Sequence, residues 1–229
     1  MPHPGFHGVL ALATRKTFSR KHWFGLGLVF GSMLPDADGY PQAFAIMAQG
    51  VDPHIAEAAF HRTFTHTLFF SLAIALIFLL LYAVRRDQTL LNFGLGMAAG
   101  SAILHSLIDI LGFFDGVGLF WPIWSVNLYA NVQLTEHQVQ MLRSVNFLAF
   151  AFYFWVLLTI AKKAGTNADY IPSLRNYLYI QAALFLVFFA LTFALPFKTY
   201  NTIDGAVFLL LAFPNVLWVT WKMRNTIEA

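Results

Sequence analysis

The feature that most constrains this chain is a series of apolar runs separated by short polar segments. The longer runs approach the roughly 20 apolar residues that a helix needs to cross a bilayer, and they lie at about 67–84, 89–112, 144–161, 177–195 and 205–221. Two shorter runs precede them, at 5–14 and 22–34, and the first crosses only if its helix continues through Thr17 to Ser19. The pattern predicts an all-α fold, a polytopic membrane bundle of about six to seven membrane helices.

Composition supports the same class of protein. The chain is 59% hydrophobic and only 11% charged, with a mean hydropathy of +0.64, which excludes an ordinary soluble protein. We predict a single integral membrane domain over residues 1–229, in which 1–125 carries the polar motifs and 126–229 is a helical scaffold. The long loops at 35–66 and 113–143 separate the runs, with a short amphipathic piece near 55–60 and Thr65 as the N-cap of the run at 67–84.

The basic residues indicate topology. The net charge is +3, but the lysines and arginines lie in short segments beside apolar runs, so we predict no nucleic-acid partner. If the loop that begins at Pro35 is extracytoplasmic, eleven of the fourteen basic residues are cytoplasmic, and the three others are Arg62, Arg143 and Lys198. Basic residues favour the cytoplasmic side. The split therefore predicts that the ends of the runs near residues 34, 67 and 112 all face outward.

The most informative run contains two ionisable residues, His105 and Asp109. They are four residues apart, so on a helix they share a face and could bind one metal ion. An ionisable group within a membrane helix is costly and marks a functional site by default. A hydrogen bond between helices is the plainer alternative. The chain has no cysteine, so a metal would have nitrogen and oxygen ligands.

Other donors are expected at the same end of the bundle. Pro35-Asp36-Ala37-Asp38 ends the second run, HRTFTH occupies 61–66, and His7 lies near the N-terminus. Each alone has a plainer reading: a helix-ending turn for the aspartates, an interfacial anchor for HRTFTH. Together they favour a divalent-metal site, with zinc as the preferred ion, one to three ions, and the ligand candidates His7, Asp36, His61, His66, His105 and Asp109.

Several segments together resemble a known family. GSMLPDADG at 31–39, HRTFTH at 61–66, HSLIDILG at 105–112 and GVGLFWPI at 116–123, with His7, are similar to the YdjM-like family of membrane-bound metal-dependent hydrolases. The resemblance covers about residues 5–125, and Thr63 stands where a glycine often follows the histidine–arginine pair. A more distant likeness is to the helical zinc-dependent phospholipase C and S1/P1 nuclease group, in which the carboxylate corresponding to Asp109 bridges zinc ions. The family implies a bacterial inner-membrane protein.

The donors and the resemblance suggest a hydrolase. A bound divalent ion lowers the pKa of water from ~15.7 towards ~7. Asp38 could then accept a proton, and Arg62 could stabilise negative charge that develops on a phosphoryl or acyl oxygen. The expected partners are membrane lipids and an amphiphilic substrate, with a lipid phosphoester favoured, as for a phospholipase or phosphatase.

Two alternatives from other classes stay open. A metal or proton transporter would need polar groups that continue towards the cytoplasm, and we expect none below His105 on the runs at 67–84 and 89–112. A non-catalytic scaffold would use the donors for a structural metal alone.

Overall fold

The computed structural model describes residues 4–19, 21–61, 63–112 and 116–229. The chain begins with two short helices, α1 (Pro4–Phe18) and α2 (Phe24–Met33). At 1.5 Å per residue they are about 22 and 15 Å long, too short for a hydrocarbon core of roughly 30 Å. The α1 helix extends beyond the predicted run at 5–14. Both helices are largely buried by their neighbours, so they belong to the core of the bundle.

Proline and short turns shape the segment that follows α2. Leu34–Asp38 forms a 3₁₀ turn whose second residue is Pro35, which lacks the N–H that a continuing α-helix needs. Two further helices, α3 (Gly39–Gln49) and α4 (Pro53–Phe60), occupy the predicted loop; α4 matches the expected piece near 55–60, whereas α3 was missed. A second 3₁₀ turn, Phe64–His66, leads to α5 (Leu68–Arg85).

The predicted N-cap of α5 was wrong by two residues. Thr67 is the cap, because its hydroxyl accepts the Phe70 N–H at 3.0 Å. The predicted cap, Thr65, donates its hydroxyl to Asp38 Oδ2 instead.

The next span carries the central motif and is not a uniform α-helix. It runs as α6 (Gln88–Ala99), a π-helical segment Gly100–Leu107 and α7 (Ile108–Gly112). π-Helical turns are rare and occur frequently at functional sites. Beyond it, β1 (Val117–Phe120) and β2 (Trp124–Val126) form a short antiparallel hairpin in a structure that is otherwise mostly helical, as the all-α prediction expects.

Glycines bring α2 and the α6 span unusually close together. A Cβ on Gly27 or Gly31 would clash with the backbone of Phe93 or Met97, and a Cβ on Gly96 or Gly100 would clash with the backbone of α2. Each pair is spaced by four residues, the spacing that lets membrane helices approach closely. This contact places the C-terminus of α2 beside the π-helical segment.

The second half begins its helices earlier than predicted. The elements are α8 (Glu136–Ala164), α9 (Ile171–Leu191), α10 (Phe197–Val207), a π-helical segment Phe208–Ala212, α11 (Phe213–Lys222) and α12 (Arg224–Glu228). We expected starts near 144, 177 and 205. Thr135 and Gln138 form a capping box that starts α8 upstream of Arg143, so this arginine lies within the helix.

Five helical stretches of the described chain are long and apolar enough to cross a membrane, namely Leu68–Arg85, Gln88–Gly112, Glu136–Ala164, Ala168–Leu191 and Phe197–Lys222. The helical membrane class is confirmed at this level. The two short helices α1 and α2 account for the difference from the predicted six to seven.

The C-terminus closes the end of the bundle opposite His105. The Glu228 carboxylate accepts the N–H of Trp23 at 2.7 Å and of Leu26 at 2.8 Å. These are backbone donors at the start of α2 that have no partner within the helix. Glu228 therefore supplies the cap that α2 lacks locally, since Trp23 makes no side-chain cap.

Candidate metal centre

Two histidines are fixed by backbone carbonyls of neighbouring helices. His7 Nδ1 lies 2.6 Å from the Leu104 oxygen, and His105 Nδ1 lies 2.8 Å from the Ser32 oxygen. A carbonyl can only accept, so we assign the proton to Nδ1 in both rings. In the neutral imidazole Nε2 then carries a lone pair, and in both residues Nε2 points towards Asp109.

The third histidine, His66, is oriented by side chains. Its Nδ1 lies 3.1 Å from the Thr65 hydroxyl and 3.3 Å from Asp38 Oδ2. The Thr65 hydroxyl itself donates to Asp38, so it can accept from His66. A carboxylate behind a histidine fixes the tautomer and makes the ring a better metal ligand. The Nε2 atom of His66 is thereby directed at the same point as the other two.

These groups form a cluster that we call the metal cluster: His7, Asp36, His66, His105 and Asp109. His66 Nε2 and His105 Nε2 lie 3.5 and 3.4 Å from Asp109 Oδ2. The same two nitrogens lie 3.8 and 3.9 Å from Asp36 Oδ1. His7 Nε2 is 2.9 Å from Asp109 Oδ1. The three histidines and Asp109 are fully buried.

The electrostatics of the metal cluster favour an added proton or metal ion. The three Nε2 atoms and both Asp109 oxygens make no hydrogen bond of good geometry, and with the protons assigned to Nδ1 all of them present lone pairs. Acceptor atoms facing one another in a dry interior are unfavourable unless protons or a metal ion lie between them. Two overlapping triads, His7–Asp36–His105 and His66–His105–Asp109, place one ligand atom from each residue within 4.8 Å of the others.

The donor set fits a first-row divalent ion. Ligand atoms bonded to tetrahedral zinc at ~2.0–2.1 Å lie about 3.3 Å apart. The nitrogen–oxygen separations of 3.4 to 3.9 Å are close to this, and neutral imidazole with carboxylate is a common zinc ligand set. The shared His105 is the residue on which the two triads meet, so one ion or a closely spaced pair could be held.

Five of the six predicted ligands meet in the metal cluster, and the sixth is His61. Its Nδ1 lies 2.9 Å from Asp38 Oδ1, and it belongs to neither triad. Asp38, our candidate general base, contacts both His61 and His66. Its placement behind His66 gives it an orienting function; the catalytic assignment stays a prediction. Arg62 lies outside the described residues.

The charge state of Asp38 follows from these contacts. Burial alone would raise the pKa of the Asp38 carboxyl, but the adjacent imidazoles of His61 and His66 outweigh burial and lower the pKa below its ordinary value. Asp38 is therefore an anion at neutral pH. Its negative charge favours a proton on Nδ1 of His66 and leaves Nε2 available for a metal.

An apolar cavity of about 400 Å³ adjoins Asp38. Its lining includes Leu34, Phe60, Phe64, Phe70 and Trp121, with Asp38, Thr63 and Thr65 as the polar members. Trp121 belongs to the GVGLFWPI segment, so that segment forms one wall. Mostly apolar pockets with a few convergent polar groups, at volumes of roughly 300–1,000 Å³, are typical of small-ligand sites.

One expectation about the interior was wrong. We predicted no polar group below His105, yet Ser71 and Ser101 form a buried hydrogen bond of 3.0 Å one turn further in. Asn92 is also buried, nearer the opposite end, where it donates to the His22 carbonyl. These groups are uncharged and satisfied by protein partners. Among the described residues of the Gln88–Gly112 span, the ionisable side chains are His105 and Asp109.

Fold and site together define the class: a polytopic helical membrane protein with buried histidine–aspartate triads that could hold a metal ion. Comparison with known families narrows this class. The model of the YdjM inner membrane protein family matches residues 4–225, and the chain belongs to that family. The match extends well past the motif-bearing residues 5–125. A search of curated proteins and a search of solved structures each found no significant match.

Proposed function

We propose that this protein is a membrane-embedded, metal-dependent hydrolase that acts on an amphiphile, with a lipid phosphoester as the favoured substrate. The observation that carries the proposal is the convergence of three Nε2 lone pairs and the Asp109 carboxylate at one buried point, together with an apolar cavity that is lined by Asp38, the carboxylate that contacts His66. A structural metal ion would need only the converging nitrogen and oxygen donors. The cavity lined by Asp38 is the reason to infer a substrate.

The residues divide into two functions. His7, His66, His105, Asp36 and Asp109 would hold the ion, which when bound supplies Lewis acidity and makes water a better nucleophile at neutral pH. Asp38 lines the cavity and contacts His66, so it is the carboxylate best placed to accept a proton from a group in the cavity. Arg62 stays our proposed cation for a developing negative charge.

Depth and lining favour an amphiphilic substrate. His105 is seven residues and Asp109 three residues from Gly112, on the order of 10 and 5 Å from the end of the span by helix rise. This is about the level of lipid headgroup linkages. The aromatic lining of the cavity offers space for an apolar chain whose polar end lies near the ion. A substrate could enter sideways from the bilayer.

The test is hydrolysis by purified protein in detergent. A panel of phospholipids and isoprenoid phosphates is incubated with metal-loaded protein, with and without chelator, and headgroup or phosphate release is measured. We expect metal-dependent release that is abolished in Asp109→Ala and kept in His137→Ala, a histidine that packs on Phe193 away from the cluster. Metal-loaded protein that cleaves nothing on the panel would contradict the proposal.

We further propose that the metal cluster faces the outside of the inner membrane, on the basis of the eleven-to-three charge distribution. Gln49, Gln133 and Gln88 are exposed, and the chain has no native cysteine. Single cysteines at Gln49 and Gln133 should react with a membrane-impermeant thiol reagent in intact cells, whereas a cysteine at Gln88 should react only after lysis. The reverse pattern would place the cluster on the cytoplasmic side.

Transport is the second candidate, and the Ser71–Ser101 pair below His105 is the observation that favours it. Reconstituted vesicles distinguish the two functions. Movement of metal or protons by protein that hydrolyses none of the panel would support transport, and loss of that movement in a Ser71→Ala, Ser101→Ala double variant would implicate the pair. If reconstituted protein hydrolyses lipid while the vesicles stay impermeable to metal and protons, transport is excluded.

A further inference from the structure

A second group of buried polar residues lies in the half that we predicted to be scaffold. Arg143 of α8 and Asp204 of α10 face each other, with Nη1 and Oδ2 3.9 Å apart. Asp204 is only 2% exposed. Both residues lie within helices that are apolar enough to span a membrane. Charged residues in such helices are costly and mark a functional site by default.

The pair is incomplete as an ion pair. A separation of 3.9 Å exceeds hydrogen-bond length, and both Asp204 Oδ1 and Arg143 Nε lack a hydrogen-bond partner. Asn146 and Asn201, one turn away on α8 and α10, also have unpartnered side-chain oxygens. We call Arg143, Asn146, Asn201 and Asp204 the paired-charge cluster. It contains an unsatisfied donor and unsatisfied acceptors at once.

Tyr200 and Gln140 do not satisfy these unpartnered atoms, because each already makes a hydrogen bond elsewhere. The Tyr200 hydroxyl donates to the Gln140 carbonyl at 3.0 Å, and the Gln140 amide donates to the Leu195 carbonyl at 3.1 Å. The helix surface beside the cluster is uncovered at Gly205, where an added Cβ would meet no atom within 4 Å. The cluster therefore has unused hydrogen-bonding capacity and lies next to an uncovered helix surface.

The depth of the paired-charge cluster suggests which ligand it meets. Arg143 and Asp204 are each seven residues from the first residue of their helix, on the order of 10 Å along the axis. Helix parity places these starts at the same end of the bundle as the metal cluster. Tyr40, two residues after Asp38, donates its hydroxyl to the Leu209 carbonyl at 2.8 Å, so α3 contacts the π-helical segment that continues α10. Lipid headgroups lie at this level.

We propose that the paired-charge cluster binds the zwitterionic headgroup of a membrane phospholipid, with the phosphate at Arg143 and a primary ammonium at Asp204. A zwitterionic headgroup carries one negative and one positive charge, which match the one guanidinium and one carboxylate of the site. The unpartnered Arg143 Nε–H can donate to a phosphate oxygen, and Asp204 Oδ1 can accept from an ammonium N–H. A primary ammonium has such hydrogens and a quaternary one has none. The site should therefore prefer phosphoethanolamine to phosphocholine and phosphoglycerol headgroups.

The proposal does not depend on hydrolysis, and it is tested by binding alone. Purified full-length protein in detergent is titrated with phosphatidylethanolamine, phosphatidylcholine and phosphatidylglycerol of matched acyl chains, and bound lipid is counted by native mass spectrometry. We expect phosphatidylethanolamine to bind about tenfold more tightly than either other lipid. Asp204→Asn should remove this preference, and Arg143→Gln should weaken binding of all three phospholipids.

Matched controls keep the result interpretable. Lys198→Gln and Asp169→Asn change exposed charges of the same types and should leave the headgroup preference intact. Metal content of each variant checks that the fold is preserved, and Arg143→Lys, which keeps the charge but lacks Nε, replaces Arg143→Gln if that variant is unfolded. Equal affinity for the three lipids, or a preference unchanged in Asp204→Asn, would overturn the proposal and leave a water-filled structural pair.

Discussion

The molecule contains two buried polar clusters at the same end of the bundle, and they differ in the balance of their groups. The metal cluster presents lone pairs alone at its centre: three Nε2 atoms and the oxygens of Asp109. The paired-charge cluster sets a guanidinium against a carboxylate. The first can be stable in a dry interior only with added positive charge, whereas the second is neutral overall.

Because of this difference, we expect the stability of the metal cluster, but not that of the paired-charge cluster, to depend on a metal ion. A metal ion should contribute a large part of the stability of the first cluster, since binding to the folded state adds directly to the free energy of unfolding. The second cluster should be indifferent to metal and to chelators. The following predictions test that contrast, beginning with the largest expected effect.

The largest effect is expected for Asp109→Ala, which removes the carboxylate that approaches all three histidines. Metal content should fall to background, and the stabilisation by metal, about 4 kcal/mol at a thousandfold excess over Kd, should vanish. Elemental analysis and thermal unfolding with and without chelator measure both. The matched Asp204→Ala variant should keep its metal and its sensitivity to chelator; loss of metal there would end the distinction between the clusters.

The next effect concerns the close contact that positions His105. Gly31→Ala would force α2 away from Met97, and with it the Ser32 carbonyl that orients His105. We expect a loss of about 3 kcal/mol from overpacking and a 10- to 100-fold weaker metal affinity. Gly205→Ala, next to Asp204 of the other cluster, is the control, because a Cβ there meets no atom within 4 Å and a helical alanine should be neutral or stabilising. Equal effects at both positions would refute the packing argument.

A smaller effect is expected for His61, which was a predicted ligand and lies against Asp38 instead. His61→Ala should lower metal affinity by about tenfold, as expected for a residue that supports a metal ligand without binding the metal itself. The number of bound ions should stay unchanged. His66→Ala should reduce the stoichiometry itself, because His66 Nε2 belongs to a triad. Titration with a competing chelator measures both quantities. Identical behaviour of the two variants would restore His61 to the ligand set.

The smallest effect lies at the opposite end of the bundle, where Glu228 caps α2. Glu228→Ala should cost about 1 kcal/mol of unfolding free energy, the usual cost of a lost N-cap, since the two N–H groups then depend on water. Metal content and lipid preference should not change. A change in either, measured in the same assays, would show that this end is coupled to the clusters through α2.

How far the sequence predicts the structure depends on the kind of signal. Hydropathy located the five long spans, because crossing a bilayer demands a long run of apolar residues regardless of tertiary contacts. It placed the helix starts in the second half too late. Arg143 fell in the predicted loop and Asp204 just before the predicted run at 205–221, whereas the structure places both within helices of spanning length, where they face each other. A pairing between helices about 60 residues apart leaves no local pattern to read.

The metal cluster shows the same division. Sequence by itself determined which residue types reach the cluster and at which end, because helix parity brings His7, Asp36, His66, His105 and Asp109 together once the spans are known. Only the tertiary structure decided which atoms face inward. That choice depends on the Leu104 and Ser32 carbonyls and on Asp38, which hold the Nδ1 protons of His7, His105 and His66. A backbone carbonyl is present at every residue, so its orienting role becomes visible only when the helices are packed.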